Sequence, residues 1–238
     1  MFENWSSVVF GMECLGCGLV SEKLDPWLCP DCQRMLRNLS KETKCPSEEV
    51  VCLYPMESLT RRLIHLLKYR AIPGMATYLV EHSHIMGGGS GNLFPDYARP
   101  LYFVPVPLHR ARFRERGYNQ AEMIARALAS HTGGRVCRWL RRSVFRVSQT
   151  KLTQDERQRN VAGAFEPRLP LKLPACGTVI VVDDVYTTGA TTGACVDALG
   201  VDFPLDVKVC TLLYDAPFSA TMDYVADCQA FRNYISNQ

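Results

Sequence analysis

Leu59, Leu63, Leu66 and Leu67 recur at helical spacing and predict an amphipathic helix over about residues 57–69. A second helix is expected from about Met75 to His84, stopped by the run Gly87-Gly88-Gly89-Ser90-Gly91. Leu101 to Val106 is apolar throughout and reads as a buried strand, with Pro105 and Pro107 at its exit. Asn119 with Glu122 three residues later resembles a capping box, and the helix behind it presents Ala121, Ile124, Ala125 and Leu128 on one face. Val136 to Leu140 is expected as a short strand, and the polar segment from Ser148 to Gly163 as a long loop. Thr178 to Val182 forms another all-apolar strand, followed by Asp183-Asp184, a turn, and a helix to about Leu199 that Gly200 stops. A last strand is expected from Val207 to Leu213. Strands apolar on both faces that alternate with helices predict an α/β fold around a parallel sheet covered on both sides.

The chain has 238 residues, 47% of them hydrophobic and 21% charged, which excludes a disordered or low-complexity protein. That length accommodates one full-sized domain plus a small appended module. The formal net charge is only +3, yet the stretch from Arg110 to Arg159 carries 13 Lys/Arg against 4 Asp/Glu, a local +9 that leaves −6 elsewhere. A basic middle on an acidic frame predicts an anionic partner such as phosphate, pyrophosphate or nucleic acid. No run of 18 apolar residues occurs, so no membrane insertion is expected. The segment from Met1 to Cys14 lacks the basic and apolar regions of a secretory signal. The eleven cysteines are therefore expected to be cytoplasmic thiols, some of them metal ligands.

The segment Val179 to Thr192 holds the most specific chemistry. A strand delivers Asp183 and Asp184 to the edge of a parallel sheet, where ligands bind in such folds. Thr187, Thr188, Gly189, Ala190 and Thr191 then lead into a helix, whose first N–H groups converge on a point suited to a phosphate. Ionised carboxylates only accept hydrogen bonds, so their place beside a phosphate site points to a ligand with hydroxyls near its phosphate, as in ribose 5-phosphate. An acidic turn that merely caps a helix would not need the whole string.

His109, Arg110, Arg112, Arg114 and Arg116 follow the Leu101–Val106 strand and are candidates for a pyrophosphate site, against the alternative of a solvated arginine face. Helical spacing keeps all four arginines from sharing one side, so only some can touch ligand. The Gln149–Val161 segment reads either as a lid, with Lys151, Arg157 and Arg159 reaching the pyrophosphate, or as an exposed linker. At the N-terminus, Cys14-x2-Cys17 and Cys29-x2-Cys32 can close a tetrahedral thiolate site, and Gly18 suits the tight turn after Cys17. Four thiolates leave no open coordination position, so a structural zinc is expected; a redox pair or metal-free thiols are the alternatives. The polar stretch Asn38–Glu49 reads as a linker, and Cys45 and Cys52 as ordinary residues. The expected division is a cysteine module with its linker at residues 1–45 and the α/β domain at 46–238.

The Val179–Thr192 string resembles the 5-phosphoribosyl-1-pyrophosphate (PRPP) motif of type I phosphoribosyltransferases. The resemblance implies that Asp183 and Asp184 hold the ribose 2′ and 3′ hydroxyls, that Thr187 to Thr191 wrap the 5-phosphate, and that Mg²⁺ binds largely through the ligand's own oxygens. Pro105-Val106-Pro107-Leu108-His109-Arg110, Arg116-Gly117-Tyr118-Asn119-Gln120-Ala121-Glu122, Lys68-Tyr69, the Arg157 to Phe165 ending and the cysteine pairs resemble the ComF family. That family includes competence proteins, and the likeness runs in the same order over about residues 14–214. Arg70 follows Lys68-Tyr69 where family members carry a nearby Gly. Two functions follow from the resemblance: a Mg²⁺-dependent, pyrophosphate-releasing phosphoribosyltransferase linked to DNA uptake, or a non-catalytic competence protein that binds single-stranded DNA and a helicase, with PRPP as a regulatory ligand. No residue specifies an acceptor.

Overall fold

The computed structural model describes residues 12–70, 72–84, 100–142, 163–169, 173–200 and 205–215. Two short strands, β1 (Met12–Glu13) and β2 (Val20–Ser21), pair antiparallel around the first cysteines. Helix α1 (Pro30–Glu42) leads to β3 (Val50–Pro55), then α2 (Ser58–Tyr69) and α3 (Gly74–Glu81). Next come β4 (Leu101–Pro105), α4 (Arg110–Arg116), α5 (Gln120–Thr132), β5 (Arg135–Val136) and β6 (Leu140–Arg142). The last described elements are β7 (Phe165–Pro167), β8 (Thr178–Tyr186), α6 (Ala190–Leu199) and β9 (Asp206–Tyr214).

The main sheet is parallel, in the order β3-β9-β8-β4-β5, as the doubly apolar strands predict. Alternate side chains of β8 show why both faces must be covered. Ile180 and Val182 join Leu53, Leu63, Phe103, Ile124 and Leu128 on one face, while Val179 and Val181 join Val104, Cys195 and Leu199 on the other. The helix expected over 57–69 is α2, which buries Leu59, Leu63 and Leu67. Cys14, Leu28, Cys32 and Leu36 belong to the same core as Leu53 and Leu59.

Several elements differ from expectation. Helix α1 begins with Pro30 at its first turn and buries Cys32, Leu36 and Ser40 at intervals of four. The Asn38–Glu49 linker is thus helical up to Glu42, and Ser40 donates to Leu53 O at 2.8 Å from inside the core. Strand β3 is a five-residue buried run, Val50 to Tyr54, that was not predicted. The second helix ends at Glu81 rather than His84. The Val136–Leu140 strand is two pieces: β5 pairs with β4, whereas β6 leaves the sheet to form a ribbon with β7. At the start of α5, Asn119 caps Ala121 N–H, but no box forms, because Glu122 turns to Arg126 and Arg138 instead. The expected Gly87–Gly91 stop and the loop from Ser148 up to Gly163 lie outside the described residues.

Candidate functional site

β8 runs on to Tyr186, so the acid pair sits within its last turn of pleat rather than beyond it. Neighbouring strands flank it in register, with Asp183 opposite Thr211 of β9 and Val182 opposite Pro105 of β4. The acids therefore emerge at the carboxyl end of the central strand. Asp183 accepts the Asp184 N–H through Oδ1 at 2.8 Å. Asp184 Oδ2 meets Lys68 Nζ, from the last turn of α2, at 3.0 Å, with only 17% and 21% of the two side chains exposed. Burial, and then the charge of Asp184, raises Asp183 to about 7, and Lys68 and Arg142 only partly oppose this. Asp183 in turn raises the Cys195 thiol, after burial, on the α6 side of the sheet. The pair thus holds one carboxylate with a lysine and one that retains its proton readily.

Thr187 and Thr188 are exposed, and Gly189 caps α6 with φ 75°. A Cβ at Gly189 would run into the Tyr186 hydroxyl and lie 2.8 Å from its Cζ, so glycine suits the place between that ring and the helix start. Ala190 N–H leans on Thr188 Oγ1 at a long 3.4 Å, while Thr192, buried, bonds back to Gly189 O. The turn leaves exposed hydroxyls and helix N–H groups directly after two carboxylates, a combination able to hold an anion and adjacent hydroxyls together.

On the neighbouring strand end, His109 Nδ1 accepts Ala111 N–H at 3.2 Å and caps α4. Arg116 donates to Gln120 Oε1 at 3.0 Å and to Tyr69 OH at 3.4 Å, and its guanidinium lies 5.1 Å from the Tyr69 ring centre. It thereby ties α4 to α2 next to Lys68. Its Nε and Gln120 Nε2 are buried without a hydrogen-bond partner among the described residues. Arg110, Arg112 and Arg114 are exposed along α4 beside Phe113, which is 50% exposed. A groove of about 320 Å³, lined by Pro105, Pro107, Leu108, Phe113, Glu122 and Arg138, opens beside this end of β4. Lys151 and Arg157 lie outside the described residues. Lys68 is the residue that site reasoning missed; its motif context with Tyr69 was the available signal.

Cys14, Cys17, Cys29 and Cys32 bring their Sγ atoms within 4.8 Å of one another, the only such group of three or more candidate ligands among the described residues. Cys17 Sγ and Cys29 Sγ are 3.9 Å apart, against about 3.8 Å for the edge of a tetrahedron with zinc–sulfur bonds of about 2.3 Å. The donor set fits zinc. Gly18, at φ 81°, returns its N–H to Cys14 O, and Cys29 N–H donates to Cys14 Sγ at 3.2 Å. A Cβ at Gly16 would lie 2.8 Å from Cys32 Sγ and 2.9 Å from Leu59, so glycine lets the turn lie on α2. A hydrogen bond from Cys32 holds the Cys14 thiol well below its usual range and pushes Cys32 up, the ordering expected of thiols crowded around one point. Among the described residues the strand end offers two carboxylates, one of them paired with Lys68, which is fewer oxygen donors than an all-protein Mg²⁺ cage needs.

No protein-family model matches the chain. DNA utilization protein YhgH of Salmonella typhi is 29% identical over 186 residues, 76% of this chain and 70% of that protein. YhgH of Escherichia coli K12 is 35% identical over 97 residues, 39% of this chain and 40% of that protein. Competence protein F of Haemophilus influenzae is 32% identical over 101 residues, covering 39% of this chain and 41% of its own. Among solved structures, an adenine phosphoribosyltransferase aligns at 12% identity over 70% of this chain and 79% of that one, with a TM-score of 0.37. The chain is a homologue of the YhgH and competence F proteins, as its motifs lead one to expect. No helix among the described residues is long and apolar enough to cross a membrane.

Proposed function

We propose that this protein binds PRPP with Mg²⁺ and transfers its phosphoribosyl group, releasing pyrophosphate, as part of DNA utilization in the cytoplasm. The observation that carries the reading is the unbroken run from Asp183-Asp184 at the end of the central strand into the Thr187–Thr191 turn. Asp183 and Asp184 would accept hydrogen bonds from the ribose hydroxyls, and the turn would receive the 5-phosphate. Lys68, now paired with Asp184, would turn to the ligand's pyrophosphate. Arg116 would add positive charge to the same leaving group, as would Lys151 and Arg157, which lie outside the described residues. Mg²⁺, when bound, would neutralise pyrophosphate oxygens, held by the ligand and by Asp183 or Asp184. The chain's own residues act by positioning and by charge, without a covalent protein intermediate.

A second reading is favoured by the names of the relatives together with Phe113 standing exposed among Arg110, Arg112 and Arg114. In it the protein handles single-stranded DNA, with a helicase as partner, and PRPP regulates it. One pair of measurements separates the two. Release of pyrophosphate from labelled PRPP in the presence of candidate acceptors supports the enzyme. Salt-sensitive anisotropy of single-stranded DNA that changes with PRPP, in the absence of any release, supports the regulatory binder; neither signal would overturn both.

A further inference from the structure

Cys45 and Cys52 stand apart from the cysteine quartet, Cys45 on the segment between α1 and the edge strand β3 and Cys52 within β3 itself. The Cys52 N–H donates to Cys45 Sγ at 3.3 Å, and the same sulfur lies 4.0 Å from the Cys52 carbonyl oxygen. Their exposures are opposite: Cys45 is open to solvent, while Cys52 is wholly buried and receives the Thr211 hydroxyl of β9 at 3.3 Å. An exposed cysteine whose sulfur rests on the backbone of a buried one, with six residues between them, suits an attacking and a resolving thiol. The fold does not need the pair for metal, because the four-cysteine group accounts for that site among the described residues.

We propose that Cys45 and Cys52 are a reversible oxidation site that a hydroperoxide converts to an intramolecular disulfide. The Cys45 thiol gives its proton to solvent, its thiolate attacks a peroxide oxygen and the O–O bond breaks; the departing hydroxide takes back a proton from solvent as water, and Cys45 becomes a sulfenic acid. Cys52 sulfur then attacks the Cys45 sulfur; the S–O bond breaks, the S–S bond forms, and the departing hydroxide takes the Cys52 proton as a second water. In total two thiols and one hydrogen peroxide give one disulfide and two waters. Hydrogen bonding with Cys52 holds the Cys45 thiol down at about 6, which favours its thiolate, and the same hydrogen bonding, then burial, pushes Cys52 up. Cys210, buried on β9 behind them, is raised by burial to about 12 and is the slower competitor for the sulfenic acid.

The test uses the zinc-loaded full-length chain and hydrogen peroxide. Non-reducing peptide mapping should recover Cys45 linked to Cys52 at doses that leave the bound zinc in place, and dithiothreitol should reverse the link. Before oxidation, iodoacetamide at pH 7 should label Cys45 about tenfold faster than Cys176, the other exposed described cysteine. In Cys52→Ser, dimedone should trap Cys45 as its sulfenic acid. A wild-type protein in which Cys45 accumulates as a sulfenic or sulfinic acid, or joins Cys210 or a zinc ligand instead of Cys52, overturns the proposal. The wild-type map decides this even if Cys52→Ser fails to fold.

Discussion

The cysteine quartet and the acidic strand end both crowd like groups into a small space, and the protein relieves the crowding differently in each. The quartet lies under α2, with Cys14 and Cys32 sealed in the core beside Leu36 and Leu59. Four thiolates there would need a bound cation to neutralise them, and such a metal would become part of the fold. At the end of β8 the relief is provisional: a proton on Asp183 and the Lys68 ammonium on Asp184. Both are exchangeable from solvent or by a ligand. A permanent solution stabilises; a provisional one leaves binding groups available at a cost in stability.

Breaking the quartet should give the largest effect. Cys32→Ala, or stripping the metal with a strong chelator, is expected to destabilise the protein by more than about 4 kcal/mol, a fraction of the ~10–16 kcal/mol that zinc binding gives small finger peptides. Thermal unfolding with elemental analysis checks this; an unchanged midpoint in a variant that has lost its zinc would make the site ornamental.

Asp183→Asn sharpens the contrast by stabilising. Its native carboxyl titrates near 7 and its unfolded one near 4, so the native state binds more protons between those pH values. Stability therefore falls as pH rises through that window, and is fully present below it. The variant should be more stable than wild type by about 2 kcal/mol at pH 8 and equal to it near pH 4, after discounting the shift for partial exposure. Urea denaturation at the two pH values reads the difference; a variant less stable at pH 8 contradicts the provisional relief.

Lys68→Met should cost less, about 1 kcal/mol, because the pair is only partly buried. In a double-mutant cycle with Asp184→Asn, most of that loss should return. Strict additivity of the two changes would mean that the 3.0 Å contact contributes nothing.

Much of this architecture can be read from the chain. The α2 helix, β4, β8, α6 and β9 follow from apolar runs and periodicity because each buries its apolar positions against one sheet. The acid pair, the Thr turn and the cysteine quartet are local in sequence, so their spacing already carries their geometry. Helix α1 is less legible, because its buried stripe mixes Cys32 and Ser40 with Leu36, and polar residues dominate its visible surface. The division at Val136–Leu140 depends on whether β4 or β7 supplies a partner, a long-range choice that periodicity cannot register. Lys68 and Asp184 are far apart in the chain, and Cys45 and Cys52 lack a ligand-like spacing. Only the folded structure brings either pair into contact.

Calorimetric titration of PRPP with Mg²⁺ into wild-type protein and the Asp183→Asn/Asp184→Asn double variant tests the central claim most directly. Each lost charge-assisted hydrogen bond is worth about 1.5–3 kcal/mol, so the variant should bind at least ~100-fold more weakly while remaining folded. Equal affinity in the two proteins, or no heat of binding to the wild type, would contradict the account.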